Sequence, residues 1–288
     1  MNLKDYPRQF YSINQFRQVH NSELAGKSFY FVMDDGKDYE LSITGETTCK
    51  WNYVGEEPKE AIYECVKGDD STYLVDFDIT ETLNTDKRTN HLFIIDLAQR
   101  LVTRVICYMG YHPDFPYLIK SEYEFGAIRV EGKQLPFRRH CYSSELIGTS
   151  VEWHWTYTLW TQHCYYDADY YRITCPPESS AYTSLGVYLA PLPSADDVTK
   201  VIKIKDKMYL FCLTEALYEK ILAGSSPFRS NNMIFLQNYD RMYHAGRTFG
   251  TFMNPDKSVR PSRTLFGSFG NPVKFSDEFL YGENAYTV

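Results

Sequence analysis

The sequence predicts a mainly β protein made of two tandem antiparallel up-and-down β-barrels with a short N-terminal helix, and three observations predict it. Aromatic residues make up 16% of the 288 residues, with 25 Tyr and 18 Phe, a mixture suited to half-buried pleated surfaces. Short runs of period two, separated by turn residues, fill most of the chain. A set of landmarks recurs in the same order in both halves. With 43% apolar and 23% charged residues, disordered, collagen-like and coiled-coil chains do not fit. The net charge of −7 and a pI near 5.5 oppose a surface that tracks phosphates, so nucleic acid is not an expected partner.

Taken in order, residues 6 to 20 carry apolar residues at helical spacing (Phe10, Ile13, Phe16, Val19), which predicts a helix capping a barrel end. Residues 27 to 33 and 38 to 43 flank Asp34-Asp35-Gly36, a tight hairpin because Asp and Gly accept the positive φ such turns need. Further strands are predicted at 47 to 53, 61 to 67, 72 to 78, 91 to 96 and 100 to 108. Pro136 to Ser143, with Arg138-Arg139-His140, reads as a solvated connection. The second half gives strands at 150 to 157, 162 to 173, 181 to 189, 200 to 205, 208 to 214, 231 to 237 and 241 to 249. In Lys200 to Lys205 isoleucine alternates with lysine, as on a strand with one buried and one solvated face. The tail from Thr251 is punctuated by Pro, Gly and Ser and is expected to drape over a barrel or a partner.

The repeat rests on three pairs. Ser22-Glu23-Leu24-Ala25-Gly26-Lys27-Ser28 recurs as Ser144-Glu145-Leu146-Ile147-Gly148-Thr149-Ser150. Thr72 to Phe77 corresponds to Met208 to Leu213, and His91 to Asp96 corresponds to Asn232 to Gln237. A tandem duplication follows, with domains expected at 1–142 and 143–288.

Met1 to Tyr6 is polar and acidic, unlike a secretory signal, and no run approaches the length of a membrane helix. The 7 cysteines show no Cys-x-x-Cys spacing, so reduced thiols are the expectation. A cytoplasmic protein with no membrane partner is expected.

Nucleotide loops, the nucleophile elbow and the zincin motif are missing, so nucleotide-dependent and zincin chemistry is disfavoured and no cofactor is expected. The unusual stretch is Val151 to Tyr166, which holds three of the four tryptophans. On one strand Trp153, Trp155 and Tyr157 share a face, which could line a cavity for a flat apolar ligand. A purely structural aromatic core is the competing reading. His154, His163, Cys164 and Cys175 can be assembled on paper into a zinc site, but their spacing matches no known pattern.

The runs Leu24-Ala25-Gly26-Lys27-Ser28-Phe29 and Asp34-Asp35-Gly36-Lys37-Asp38-Tyr39-Glu40-Leu41 resemble the start of MoaF-like proteins and of the phenolic acid decarboxylases, both lipocalin-like calycin barrels. The resemblance implies a small barrel with an interior pocket and, as in the decarboxylases, acid–base chemistry without metal or organic cofactor. The decarboxylases' tyrosine pair falls on Phe31 and Met33 in the first copy and on Trp153 and Trp155 in the second. Their glutamate falls near Ile79 in the first copy and on Glu215 in the second; Arg172 is the nearest candidate for their arginine.

The expected function is therefore a cofactor-independent lyase, isomerase or cyclase acting on an aromatic or apolar small metabolite in the C-terminal barrel. Glu215 and His163 are the expected acid–base pair, with Trp153, Trp155, Tyr157, Tyr165 and Arg172 around the ligand. His244 and Arg247 are weaker candidates. The rival is a non-catalytic carrier or sensor of the lipocalin type. The first barrel is expected to be structural or to form a homodimer surface.

Overall fold

The computed structural model describes residues 15–83, 88–109, 119–157, 159–174, 181–182, 188–189, 195–214, 228–253 and 259–281. The chain divides into two compact units, Val19–Cys141, and Tyr142–Val288 together with Met1–Gln18. The described residues 15 to 18 thus group with the second unit. Residues 15 to 20 form a turn and extended coil, so no helix is found there; the rest of the predicted helix lies outside the described residues. Phe16 sets its ring 5.2 Å from Tyr157 and 5.3 Å from Phe269.

The first unit is a closed up-and-down barrel of β1 (Ser28–Met33), β2 (Tyr39–Ile43), β3 (Thr48–Tyr53), β4 (Lys59–Lys67), β5 (Thr72–Asp78), β6 (Thr89–Asp96), β7 (Leu101–Met109) and β8 (Ile119–Ile128). Each strand pairs antiparallel with the next, and β8 returns to β1 with Phe31 opposite Ile128. Closure leaves no strand edge unpaired.

The second sheet begins with β9 (Cys141–Tyr142), laid beside β15. Its barrel runs through β10 (Ser150–His154), β11 (Trp160–Tyr165), β12 (Tyr170–Thr174), β15 (Ala195–Lys205), β16 (Met208–Thr214), β17 (Phe228–Asn238), β18 (Tyr243–Met253) and β19 (Val259–Lys274). A small hairpin, β13 (Ala181–Tyr182) and β14 (Tyr188–Leu189), is inserted between β12 and β15. β19 pairs with β10 and β12 with β15, which closes the ring. Helix α1 (Asp277–Tyr281) then brings Phe279 to 5.0 Å from the Tyr239 ring.

The repeated Ser-Glu-Leu-x-Gly segment has one physical job in both copies. It forms a turn in which Ala25 N–H and Ile147 N–H donate to Ser22 and Ser144 carbonyls, while Gly26 and Gly148 donate to Ile43 and Tyr165. Both glycines have positive φ, +80° and +86°, a conformation other residues adopt at a cost. The glutamate of the segment then gathers a lysine and a tyrosine from the following hairpin. Glu23 accepts from Lys67 Nζ at 2.7 Å and Tyr73 OH at 2.9 Å; Glu145 accepts from Lys203 Nζ at 2.5 Å and Tyr209 OH at 2.6 Å. The same three residue types in the same arrangement confirm the duplication.

Both closing strands escape the sequence reading. β8 carries Lys120, Glu122 and Glu124 on its inward parity, and β19 carries Pro, Ser and Gly where a strand prefers β-branched residues. The predicted strand 162 to 173 is two strands joined by a turn, and 181 to 189 is only the β13–β14 hairpin. On β15 the face assignment is inverted: Lys203 is 1% exposed and lies on the inward parity with Val201, while Ile202 and Ile204 are buried on the outward one. His140, in the connection read as solvated, is fully buried and meets Thr103 Oγ1 at 2.8 Å.

Aromatic rings fill both interiors. In the first, Phe31 stacks near Phe29 and packs 5.5 Å from Phe93. Phe31 is 0% exposed, so Phe31→Ala is expected to cost about 3 to 5 kcal/mol; a urea-midpoint change worth less than about 1 kcal/mol would show that the ring is not part of the core.

Candidate functional site

Titratable groups converge at the end of the first barrel formed by the β1–β2 and β3–β4 hairpins and the adjoining ends of β7 and β8. Val102 and Gly126 face inward, because Val102 belongs to the barrel core and a Cβ on Gly126 would meet Met33 Sδ. Period two then turns Arg104 and Tyr108 of β7, and Lys120, Glu122 and Glu124 of β8, to the same side. Arg104 is 1% exposed. Its Nη2 donates to Asp35 at 2.8 Å and Nη1 to the Lys37 carbonyl at 3.3 Å, and its guanidinium lies 5.9 Å from the centre of the Tyr39 ring and 5.5 Å from that of Tyr53.

Beneath Arg104, Tyr39 OH and His91 Nδ1 are 2.9 Å apart, both residues fully or nearly fully buried. Trp51 stacks on Tyr39 at 5.7 Å and meets His91 edge-on at 5.1 Å. Burial, then the charges of Arg104 and Lys59, push the His91 imidazole down to about 3, so it is neutral at physiological pH. Burial and neighbouring groups hold the Tyr39 phenol well above its ordinary range, so it keeps its proton.

The rim carboxyls divide into two kinds. Burial raises Glu124, and Asp35 adds to the rise while Arg104 opposes it. Burial also acts to raise Glu122, but hydrogen bonds from Lys120 (2.8 Å) and Tyr108 OH (3.2 Å) outweigh it and hold the carboxyl below its usual value. Two carboxyls on one strand are thereby driven apart, one towards the acid and one towards the base. Burial and then Glu122 raise the Tyr108 phenol.

The predicted site residues of the second barrel are scattered. Trp153, Trp155, His163 and Tyr165 point inward and are buried. His163 Nε2 lies 3.1 Å from Thr161 Oγ1, which accepts from Trp155 Nε1 at 2.7 Å, and burial alone pushes His163 down to about 3. His244, bonded to Ser268 Oγ at 2.5 Å, sits 4.5 Å from the Trp153 ring and 5.0 Å from the Trp155 ring, and burial holds it well below its ordinary value. Tyr157, in contrast, is 70% exposed because β10 ends at His154. Arg172 lies on the outward parity of β12 in an exposed ion pair with Asp196 at 2.8 Å. Arg247 is buried on the outward parity of β18, with Nη1 3.0 Å from Asn232 Oδ1. Glu215 lies outside the described residues. His154 bonds Glu152 and Asn271 on the outer face, opposite His163, so these two do not join in a metal site; Cys175 lies outside the described residues. Among the described residues no group of three or more His, Cys, Asp or Glu side chains is placed to hold a metal ion.

The strand registers allow the barrels to be compared position by position. Phe93 faces Val75 and Arg104 in the first, and Phe235 faces Phe211 and Gly246 in the second. His91 therefore matches Met233, one residue away from the alignment the sequence suggests. By the same registers Gly246 stands for Arg104, Phe266 for Glu124, Thr264 for Glu122, Gly250 for Tyr108 and Ile173 for Trp51. At Gly246 a Cβ would come within 2.9 Å of the Phe235 ring and 2.1 Å of a carbonyl, so aromatic packing has taken the place of the guanidinium. The second barrel keeps the plan but has no ionisable side chain at these positions; its own inward titratable groups include His163 and His244.

These features define a tandem pair of calycin-like barrels, up-and-down meanders that carry side chains in a closed interior. Residues 10–110 match the family model of the MoaF N-terminal domain. The match spans β1 to β7 and stops short of β8 with Glu122 and Glu124. No curated protein matches the chain. Among the described residues no helix is long and apolar enough to cross a membrane, and none of the six described cysteines is in a disulfide.

Proposed function

We propose that the chain is a cofactor-independent enzyme, a lyase, isomerase or cyclase, that acts by acid–base chemistry on a small planar metabolite at the Arg104 end of its first barrel. The observation that carries this reading is the convergence of carboxyl and guanidinium groups at that end: Glu124, raised by burial, opposite Arg104, with the Glu122–Tyr108 and Tyr39–His91 pairs to either side. A carrier needs aromatic walls, which both barrels have; only an enzyme needs acids and bases that face the ligand. The sequence places the chemistry in the second barrel; the weight of ionisable side chains favours the first. Glu124 is the group assigned to proton delivery and Glu122 the standing base, and proton transfer of this kind is worth about 10² to 10⁴ in rate.

The test is untargeted turnover. The protein is incubated with a fractionated metabolite extract in the presence of EDTA and followed by mass spectrometry beside Glu124→Gln. Conversion by the parent protein, slowed at least about 10²-fold in the variant, supports the reading. Metabolites that bind both proteins and are converted by neither give the carrier reading instead, and activity lost in EDTA and restored by zinc would overturn the cofactor-free mechanism.

A further inference from the structure

We propose that Asp35 is a positioning residue of the first-barrel site: by taking Nη2 of Arg104 it keeps the guanidinium off Glu124, its cross-strand neighbour, and leaves Glu124 able to hold a proton. The inference rests on the reading of that end of the barrel as the site and adds what sets the state of its acid. Arg104 and Glu124 stand directly opposite each other on β7 and β8, and both lie on the inward parity. Opposite charges so placed are within reach of each other, and pairing them is favourable. Here they do not pair. Arg104 Nη2 donates to Asp35 Oδ2 at 2.8 Å and Nη1 to the Lys37 carbonyl at 3.3 Å, and among the described residues no hydrogen bond or ion pair joins the guanidinium to Glu124.

Asp35 is itself held in place, with both oxygens engaged. Oδ1 accepts from Lys37 N–H of its own turn at 3.0 Å, and Oδ2 accepts from Arg104. The turn is fixed at three further points. Gly36, with φ +76°, donates to the Met33 carbonyl at 3.1 Å; Asp34 N–H donates at 2.9 Å to the carbonyl of Phe125, the residue after Glu124 on β8; and the Asp34 carboxylate accepts from Arg139 Nε at 2.9 and 3.1 Å. The Arg104 side chain is 2% exposed and that of Asp35 17%, so little water competes for the bond between them.

The two carboxyls of β8 differ for this reason. Glu122 has a cation of its own in Lys120, whereas the cation opposite Glu124 is engaged by Asp35. The charged groups that act on Glu124 are Arg104 of β7, Asp35 and Lys37 of the turn, and Glu122 of its own strand; β1, on its other side, contributes Phe31 and Met33 to the core. Burial, Asp35 and Glu122 act to raise the Glu124 carboxyl, against Arg104 and Lys37. The second copy supplies the comparison. Phe266 stands for Glu124 and Gly246 for Arg104, and the turn between β10 and β11 reads Trp155-Thr156-Tyr157-Thr158-Leu159, without a carboxylate. The acid, the guanidinium and the aspartate that holds it are absent together, as expected of groups that serve one another.

The experiment titrates the ¹³C-labelled full chain with acid and follows the Glu124 carboxyl resonance, assigned by its loss in Glu124→Gln. Asp35→Asn keeps an acceptor for Lys37 N–H and removes the charge that holds Arg104, so the proton affinity of Glu124 is expected to fall at least about tenfold. Adding Arg104→Met should return it to the parent value or above, because the released guanidinium causes the fall. Asp35→Glu, which keeps a carboxylate for Arg104, should stay close to the parent. An unchanged affinity in Asp35→Asn, or a double variant as low as the single one, overturns the proposal. The parent chain gives a second measurement that needs no variant to fold: a ¹⁵N–¹³C coupling through the hydrogen bond, expected from Arg104 Nη2 to the Asp35 carboxyl. Coupling to the Glu124 carboxyl instead would equally overturn the assignment. Where the extract assay yields a substrate, the alkaline limb of its rate, on which an acid is lost, should move to lower pH in Asp35→Asn. A fall in Glu124 proton affinity without turnover defeats the enzyme reading alone, whereas Glu124-dependent turnover with an unchanged affinity in Asp35→Asn defeats the role of Asp35 alone.

Discussion

Between pH 6.5 and pH 5 both barrels are expected to lose stability, the first by about 2 kcal/mol and the second by more. The cause is three imidazoles that burial drives towards the neutral form. His91 and His163 are pushed down to about 3 and His244 lies well below its ordinary value, each chiefly by burial. A base whose pKa is depressed on folding binds more protons when unfolded. Its contribution is therefore complete above about pH 6.5, the unfolded value, and is lost as the pH falls toward the folded one. At pH 5 the unfolded state gains about 2 kcal/mol for each of His91 and His163, with a further gain from His244, and a domain's total stability is on the order of 5 to 15. With two such groups, His163 acting on His244, the second barrel should open first. Glu23, held near 2 by Lys67 and its other hydrogen bonds, loses its contribution only below about 4.5, whereas Glu124, raised by burial, acts in the opposite sense in the first barrel. Urea unfolding at pH 7.5, 6 and 5, resolved by amide exchange in each barrel, checks this. A stability that stays flat to pH 5, or a His244→Gln variant with an undiminished acid loss, would show that the rings are not buried neutral.

The repeat, the strand order of each barrel except its last member, and the inward tryptophans were legible in the sequence because they depend on period and turn chemistry alone. The closing strands were not. β8 reads Lys120-Ser121-Glu122-Tyr123-Glu124-Phe125, a clean alternation, but with the charged parity facing the barrel, and the usual rule assigns charge to solvent. The same inversion hid Lys203. The sequence points to the second copy because the decarboxylases' tyrosine and glutamate positions hold Phe31, Met33 and Ile79 in the first, while Trp153-His154-Trp155 reads as a pocket wall; the inward charges of β8 give no such signal. Tyr157 was placed on that wall because strand ends are the least legible feature, and the turn after His154 sends it outward. Arg104 sits in Leu101 to Met109, an apolar run in which it reads as a single outward charge; only its place opposite Glu124 and over two tyrosine rings identifies it. A helpful signal was present in the comparison of the copies: positions where one repeat keeps an ionisable residue and the other has glycine, isoleucine or phenylalanine mark where selection on packing and on chemistry diverged.

Glu145→Ala is expected to destabilise the second barrel by about 3 to 5 kcal/mol, and the matching Glu23→Ala to affect the first by a small fraction of that. The two glutamates make the same contacts with the same partner types, so the comparison isolates burial. The Lys203 side chain is 2% exposed and Glu145 14%, against 25% for Lys67 and 53% for Glu23. An exposed pair is screened by water and returns its charges to solvent when broken. A buried ammonium that loses its carboxylate stays in a poorly solvated place, and Tyr209 OH loses its acceptor as well. If that is the cause, the loss should depend on the charge that remains. Lys203→Met in the Glu145→Ala background is therefore expected to recover a large part of it, whereas the corresponding Lys67→Met change in Glu23→Ala should recover nothing measurable. Glu145→Gln, which keeps an acceptor for Tyr209 and removes only the charge, should fall between the parent and Glu145→Ala. Urea midpoints for these variants, read barrel by barrel, decide the matter. Equal losses from the two alanine changes would mean that the repeated glutamate acts through its turn rather than through the ammonium, and a double variant no more stable than Glu145→Ala would mean that the lysine is not what makes the second copy sensitive.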